Sequence, residues 1–153
     1  MAVSNNALST PIYAMIELLR ANVTYVNKRV YPPDEREDAT MPRVTVDAIT
    51  PSDTPLGLGE GLGSYKGVWL LYTFNINIWD KDPGQIKTVA DQVIYCIWKN
   101  RSYVPASPRD AHGEFTLLTI SGGSPTTENV GKQLYQRTIN VTGRWLSKSV
   151  ETW

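Results

Sequence analysis

The sequence is poor in the residues that most often carry chemistry. It has one cysteine, Cys96, so it can form no internal disulfide and supply no cysteine metal cluster. It has one histidine, His112, so a zinc site would have to be built mainly from carboxylates. It has no excess charge of either sign: 15 Lys and Arg balance 15 Asp and Glu. That argues against a bulk electrostatic grip on nucleic acid, which needs a cationic face to release counterions, while leaving local patches open, since net charge does not fix distribution. Near-neutrality also leaves little repulsion between copies, which suits self-association. No apolar run is long enough to cross a membrane as a helix. The longest, residues 68–79, is interrupted by Thr73, Asn75 and Asn77. Residues 1–7 are polar and show no signal-peptide pattern.

What is present is periodic. Thr10 as N-cap and Pro11 at the first helical position open a helix over 11–22, with Ile12, Met15, Ile16 and Leu19 on one stripe. Arg29-Val30-Tyr31 is a short extended piece, and Asp34 to Asp38 is a charged loop. A strand over 43–49 follows Met41-Pro42, placing Val44, Val46 and Ala48 on one face; Pro51 ends it. The strand over 68–79 has a wholly apolar even face, Val68 to Ile78, predicted to be core. Its odd face, Trp69 to Trp79, is apolar at both ends and polar between. Asp82 caps a second helix over 84–99, with Pro83 at N1 and Gln85 placed as in a capping box. The stripe Ile86, Val89, Ala90, Val93, Ile94 and Ile97 matches the even strand face, so the two bury each other. Two closing strands, 114–120 and 132–145, are joined by the small-residue loop 121–131; in the last strand Arg137 interrupts the face shared by Tyr135, Ile139, Val141 and Trp145. The predicted architecture is one α+β domain spanning 1–153. It has two layers, a mixed or antiparallel sheet of about four strands with two helices on one face. Long loops at 51–67 and 121–131 and a tail at 147–153 complete it.

Motif tests are negative. The run Gly57, Gly59, Gly61, Gly63 leads into Ser64-Tyr65-Lys66-Gly67 and a strand, where a phosphate loop needs Gly-Lys-Ser/Thr opening a helix. A flexible loop that serves as an assembly arm is the better reading. His112 lies between Asp110 and Glu114, a conceivable general base, but no nucleophile stands in a recognisable motif beside it. Cys96 reads as a packed thiol. Asp82 is committed to capping, which removes the pair Asp80 and Asp82 as a metal site. The acidic run 34–38 lacks calcium-loop spacing and has Arg36 at its centre. We therefore expect no catalytic residue, no metal and no cofactor. Five Trp and eight Tyr exceed what so small a sheet can bury, and aromatics are enriched at the centres of protein interfaces. Candidate interface residues are Trp69, Leu71, Trp79, Tyr135, Trp145 and Trp153, with Gly57, Gly59, Gly61 and Gly63 of the loop.

The order of short motifs is informative. A helix precedes Arg29-Val30-Tyr31-Pro32. Then come Met41-Pro42-Arg43-Val44-Thr45-Val46, a Gly-rich loop, Tyr72-Thr73-Phe74-Asn75-Ile76-Asn77-Ile78-Trp79-Asp80, a helix with Ala90-Asp91, and Leu134 to Val141. This order resembles the tail terminator, or tail completion, proteins of long-tailed bacteriophages over residues 8–146; the long loop and the Trp-ending tail depart from it. The resemblance implies a homo-oligomer, usually a hexameric ring, capping the head-proximal end of the tail tube. Its partners would be the tail-tube protein and the head–tail connector or head-closure protein. The genome would pass through the lumen without sequence-specific binding. It implies a virion protein assembled in host cytoplasm, with no enzyme activity. The alternative within the same virion is a head-closure or tail-tube subunit.

Overall fold

A computed structural model of the chain describes residues 9–32, 40–55, 68–105, 113–129 and 134–147. Its elements run α1 (Ser9–Asn22), a 3₁₀ turn (Thr24–Val26), β1 (Val30–Tyr31), β2 (Arg43–Pro55), β3 (Val68–Asp80), α2 (Pro83–Lys99), β4 (Gly113–Gly123), β5 (Thr127–Asn129) and β6 (Leu134–Ser147). The strands form one mixed sheet in the order β1-β2-β3-β6-β4, with β5 also on β6. Among the described residues only β1 and β2 pair in parallel. The α+β class and the two helices are as predicted; the sheet has six strands.

The even face of β3 meets the helices as its alternation required. Leu70, Tyr72, Phe74, Ile76 and Ile78 are buried, beside Val44 and Val46 of β2 and Ile139, Val141 and Trp145 of β6. Register makes this a single face, since Ile76 opposes both Val46 and Ile139, and Leu70 opposes Trp145. The α2 stripe Ile86, Val89, Ala90, Val93 and Ile97 closes over it, with Met15, Ile16, Leu18 and Leu19 of α1 alongside. A run of rings crosses the core: Tyr72 to Phe74 at 5.7 Å, Phe74 to Phe115 at 5.6 Å and Phe115 to Trp145 at 4.7 Å between centroids. Edge-to-face pairs of this kind add about 0.5–1.5 kcal/mol beyond the area they bury.

Helix boundaries follow local chemistry. The Asp82 carboxylate accepts the Gly84 N–H at 2.9 Å and Pro83 begins α2. The cap therefore engages the second helical N–H rather than that of Gln85, as a capping box would. Helix α1 starts at Ser9, so Thr10 lies inside it; Pro11 still falls in the first turn, where no intrahelical donor is lost. Beyond α1, Asn27 and Lys28 both adopt positive φ (48° and 65°) and turn the chain into β1. Arg20 fastens this reversal by donating Nε and Nη2 to the Val30 carbonyl, at 3.0 and 2.6 Å.

Several strand boundaries differ from the sequence reading, among them β6, which spans Leu134–Ser147 where 132–145 was expected. Pro51 does not end β2, which continues to Pro55 through a register shift between Ile49 and Ser52. A bulge leaves a residue out of the ladder, which is how a strand carries a proline. Strand β4 likewise passes Ile120 to Gly123 through a shift between Ile120 and Gly122. The region read as the loop 121–131 therefore holds the end of β4 and all of β5. Of the loop 51–67, residues 51–55 are strand and 56–67 lie outside the described residues.

Candidate assembly surfaces

The sheet face turned away from the helices is open, and it is almost neutral. Register places Thr45, Asn77 and Thr138 in one cross-strand row, Asp47, Asn75 and Asn140 in the next, and Ile49, Thr73, Thr142 and Thr119 in the third. Asn77 Oδ1 accepts from Thr138 Oγ1 at 2.6 Å and from Gln136 Nε2 at 3.2 Å, which locks amide and hydroxyl groups across β3 and β6. Beside them Asn75, Asn77, Thr138, Asn140, Gly123 and Ser124 line a shallow cleft of about 380 Å³. Buried among these groups, Asn140 Oδ1 has no hydrogen-bond partner among the described residues. Trp79 closes one end of the face: its Nε1 donates to Thr45 Oγ1 at 3.2 Å, and the Arg43 guanidinium lies 5.8 Å from the ring centroid. The opposite end is apolar. Leu71 and Leu117 both oppose Arg144, and with Ile49 close by all three aliphatic side chains are exposed.

The helix layer carries a second apolar surface. Tyr95 and Trp98 of α2 are 63% and 59% exposed, far more than buried packing allows. Tyr25 is exposed nearby, its N–H donating to Gln92 Oε1 at 3.0 Å. Asn22, Asp91, Gln92, Tyr95, Cys96 and Lys99 line a cleft of about 330 Å³ at this surface. A third cleft, of about 370 Å³, opens at the β4 edge between α2 and the sheet. Its wall includes Ile94, Ile120, Pro125, Ile139 and Arg137.

The sequence candidates are distributed unevenly over these surfaces. Leu71 is exposed on the open face, and Trp79 is half-buried there. Tyr135 is half-buried on the helix side and packs against the core. Trp145 is a core residue, 3% exposed, and is corrected as an interface candidate: odd positions of β6 face the helices, and Phe115 covers its ring. Trp69 pairs with Leu146 in register, but its side chain lies outside the described residues. Trp153, Gly57, Gly59, Gly61 and Gly63 also lie outside them, as do Asp110, His112 and the acidic run 34–38. Tyr95, Trp98, Ile49, Leu117 and the Arg137 cleft were missed. The signal for the first two was available, since they fall off the apolar stripe of α2. Ile49 was readable, since it alternates with the core residues Val44, Val46 and Ala48; Leu117 was hidden by the register shift after Phe115, which changes the face it joins.

Cys96 is buried, and burial pushes its thiol up to about 11, with a hydrogen bond from Asn100 opposing the shift. Burial also raises the Tyr72 phenol well above its ordinary 10.0. Both groups are neutral when protonated, so the unfolded chain loses these protons first as pH rises. The stability that these two groups contribute is therefore full below about pH 9 and is expected to fall above it, first through Cys96 and then, past 10, through Tyr72 as well. Each contributes a slope of about 1.4 kcal/mol per pH unit in its window. Urea denaturation at pH 8, 9 and 10 measures the loss, and Cys96→Ala should remove the part between 9 and 10.

No family model matches the chain, and no curated protein matches it. Its fold does have a solved counterpart. A chain in the structure titled virion of native gene transfer agent (GTA) particle superposes with a TM-score of 0.60 at 12% identity, over 95% of this chain and 100% of that one. The fold is thus one that a virion subunit uses.

Proposed function

We propose that the chain is a virion structural protein, and specifically a tail terminator. It forms a ring on the last layer of the tail tube, ends tube growth and presents a surface to the head connector. It is not an enzyme. The observation that carries this reading is the fold shared with a chain of a gene transfer agent virion along the whole of that chain, in agreement with the motif order of the sequence.

The surfaces support assembly over catalysis. Apolar side chains are exposed on both layers, as contacts between subunits require. An open sheet of amides and hydroxyls with few charges suits a wall past which a polyanion slides, because it offers no row of cations to hold phosphates. Ring closure needs heterologous contacts, in which one patch meets a different patch on the next copy.

Electron microscopy of the purified chain and of particles labelled through it tests the reading. Finite rings and a label at the head–tail junction are expected. Long cylinders of the chain alone would instead make it a tube subunit, and absence of the label from the particle would overturn the virion role.

A further inference from the structure

The cleft at the β4 edge contains a charge that the fold does not explain. Arg137 is on the helix-facing side of β6, between Tyr135 and Ile139 and opposite Ile78, where every alternate neighbour is apolar. It is half-buried, and among the described residues its guanidinium has no carboxylate or carbonyl partner. Ile94, Ile120, Pro125 and Ile139 form the apolar wall beside it. An unpaired cation against such a wall selects an anionic ligand with apolar flanks, since desolvation strengthens the pairing and penalises any other occupant.

The chain carries a segment of that chemistry. Residues 34–38 hold four carboxylates around Arg36, flanked by Pro33 and Ala39. Their described neighbours Pro32 and Thr40 adjoin β1 and β2, at the sheet edge opposite β4. Val30, Val44, Ile78 and Arg137 stand in one cross-strand row, so about 14 Å and the packed helix layer separate β1 from Arg137 within one copy. The described ends of that segment and the Arg137 cleft lie on opposite edges, as a head-to-tail contact requires.

We infer that the acidic run 34–38 of one copy docks in the Arg137 cleft of the next and sets the direction of ring closure. This contact rests on the ring reading above, and two measurements keep their failures apart. The first is the native mass of the full chain across concentration, for wild type, Arg137→Glu, Arg137→Gln, and a chain with Glu35→Lys and Glu37→Lys. Circular dichroism confirms that each is folded. The second is the anisotropy of a fluorescent peptide of residues 31–41 with the full chain.

The expected result is that rings form in wild type and are lost in the single-site and acidic-run variants. They should return when Arg137→Glu copies are mixed with copies carrying the lysine run. The peptide should bind wild type and lose about tenfold or more in affinity for Arg137→Gln. Rings that persist in both Arg137 variants overturn the contact and leave the terminator reading intact. A monomeric wild type that binds the peptide through Arg137 supports the contact while counting against the ring. A monomer that ignores the peptide overturns both.

Discussion

Trp145→Ala is expected to lower the unfolding free energy by about 3–5 kcal/mol, the range for removing a large buried aromatic. The indole ends the ring series Tyr72, Phe74, Phe115, Trp145, so its loss strips the edge contact from Phe115 and opens a cavity at the end of the sheet. Gly113 makes the same packing testable from the other side. A Cβ at Gly113 would lie 2.4 Å from the Trp145 ring, closer than atoms approach. Gly113→Ala alone should therefore cost about 1–3 kcal/mol through overpacking. In a Trp145→Ala background the added methyl enters the cavity, and most of that cost should disappear. Urea denaturation of the two single variants and the double closes the cycle. Equal cost of Gly113→Ala in both backgrounds would mean that the ring contact is not what excludes a side chain there.

Trp145 also shows where the sequence was legible and where it was not. Its face was readable: Tyr135, Ile139, Val141 and Trp145 share odd positions, and period-two alternation assigns them to one side. That this side is the helix side depends on Leu70 and Phe115 standing opposite, a long-range pairing that the spacing along one strand does not encode. The elements of strongest periodicity, β3 and α2, were placed almost to the residue, because the stripe and the cap at Asp82 act within a few residues of each other. The extents of β2 and β4 were not. Pro51 and Gly122 look like terminators, yet each lies at a register shift that the neighbouring strand bridges. A further shift, between Phe115 and Leu117, sets which side Leu117 faces, so the exposed aliphatic patch could not be assembled from the sequence. Arg137 is the converse case. Its interruption of an apolar face was visible from the first, but only the cleft under α2 gives that interruption a use.

Leu71→Asp with Leu117→Asp is expected to abolish incorporation of the chain into particles while leaving the monomer folded. The two leucines stand opposite Arg144 from its two neighbouring strands on the open sheet face, where Ile49 is also exposed. An exposed aliphatic cluster of this kind marks a contact site, and two carboxylates introduced there, with Arg144 alone between them to offset their charge, would defeat any apolar contact made through it. Neither leucine contributes to the core, so each substitution should shift stability by no more than about 0.5 kcal/mol. The comparison that isolates the surface is Thr73→Asp with Thr142→Asp, which adds the same charge one row away on the same face. If the effect came from negative charge on the face as a whole, both pairs would block incorporation alike. If it comes from the aliphatic end, the leucine pair should block it and the threonine pair should reduce it much less. Particle-associated protein relative to folded soluble protein, measured by immunoblot with melting temperatures in parallel, gives the answer. Wild-type incorporation of the leucine pair would remove this end of the sheet from the assembly surface and leave the contacts to the sheet edges and the aromatic face of α2.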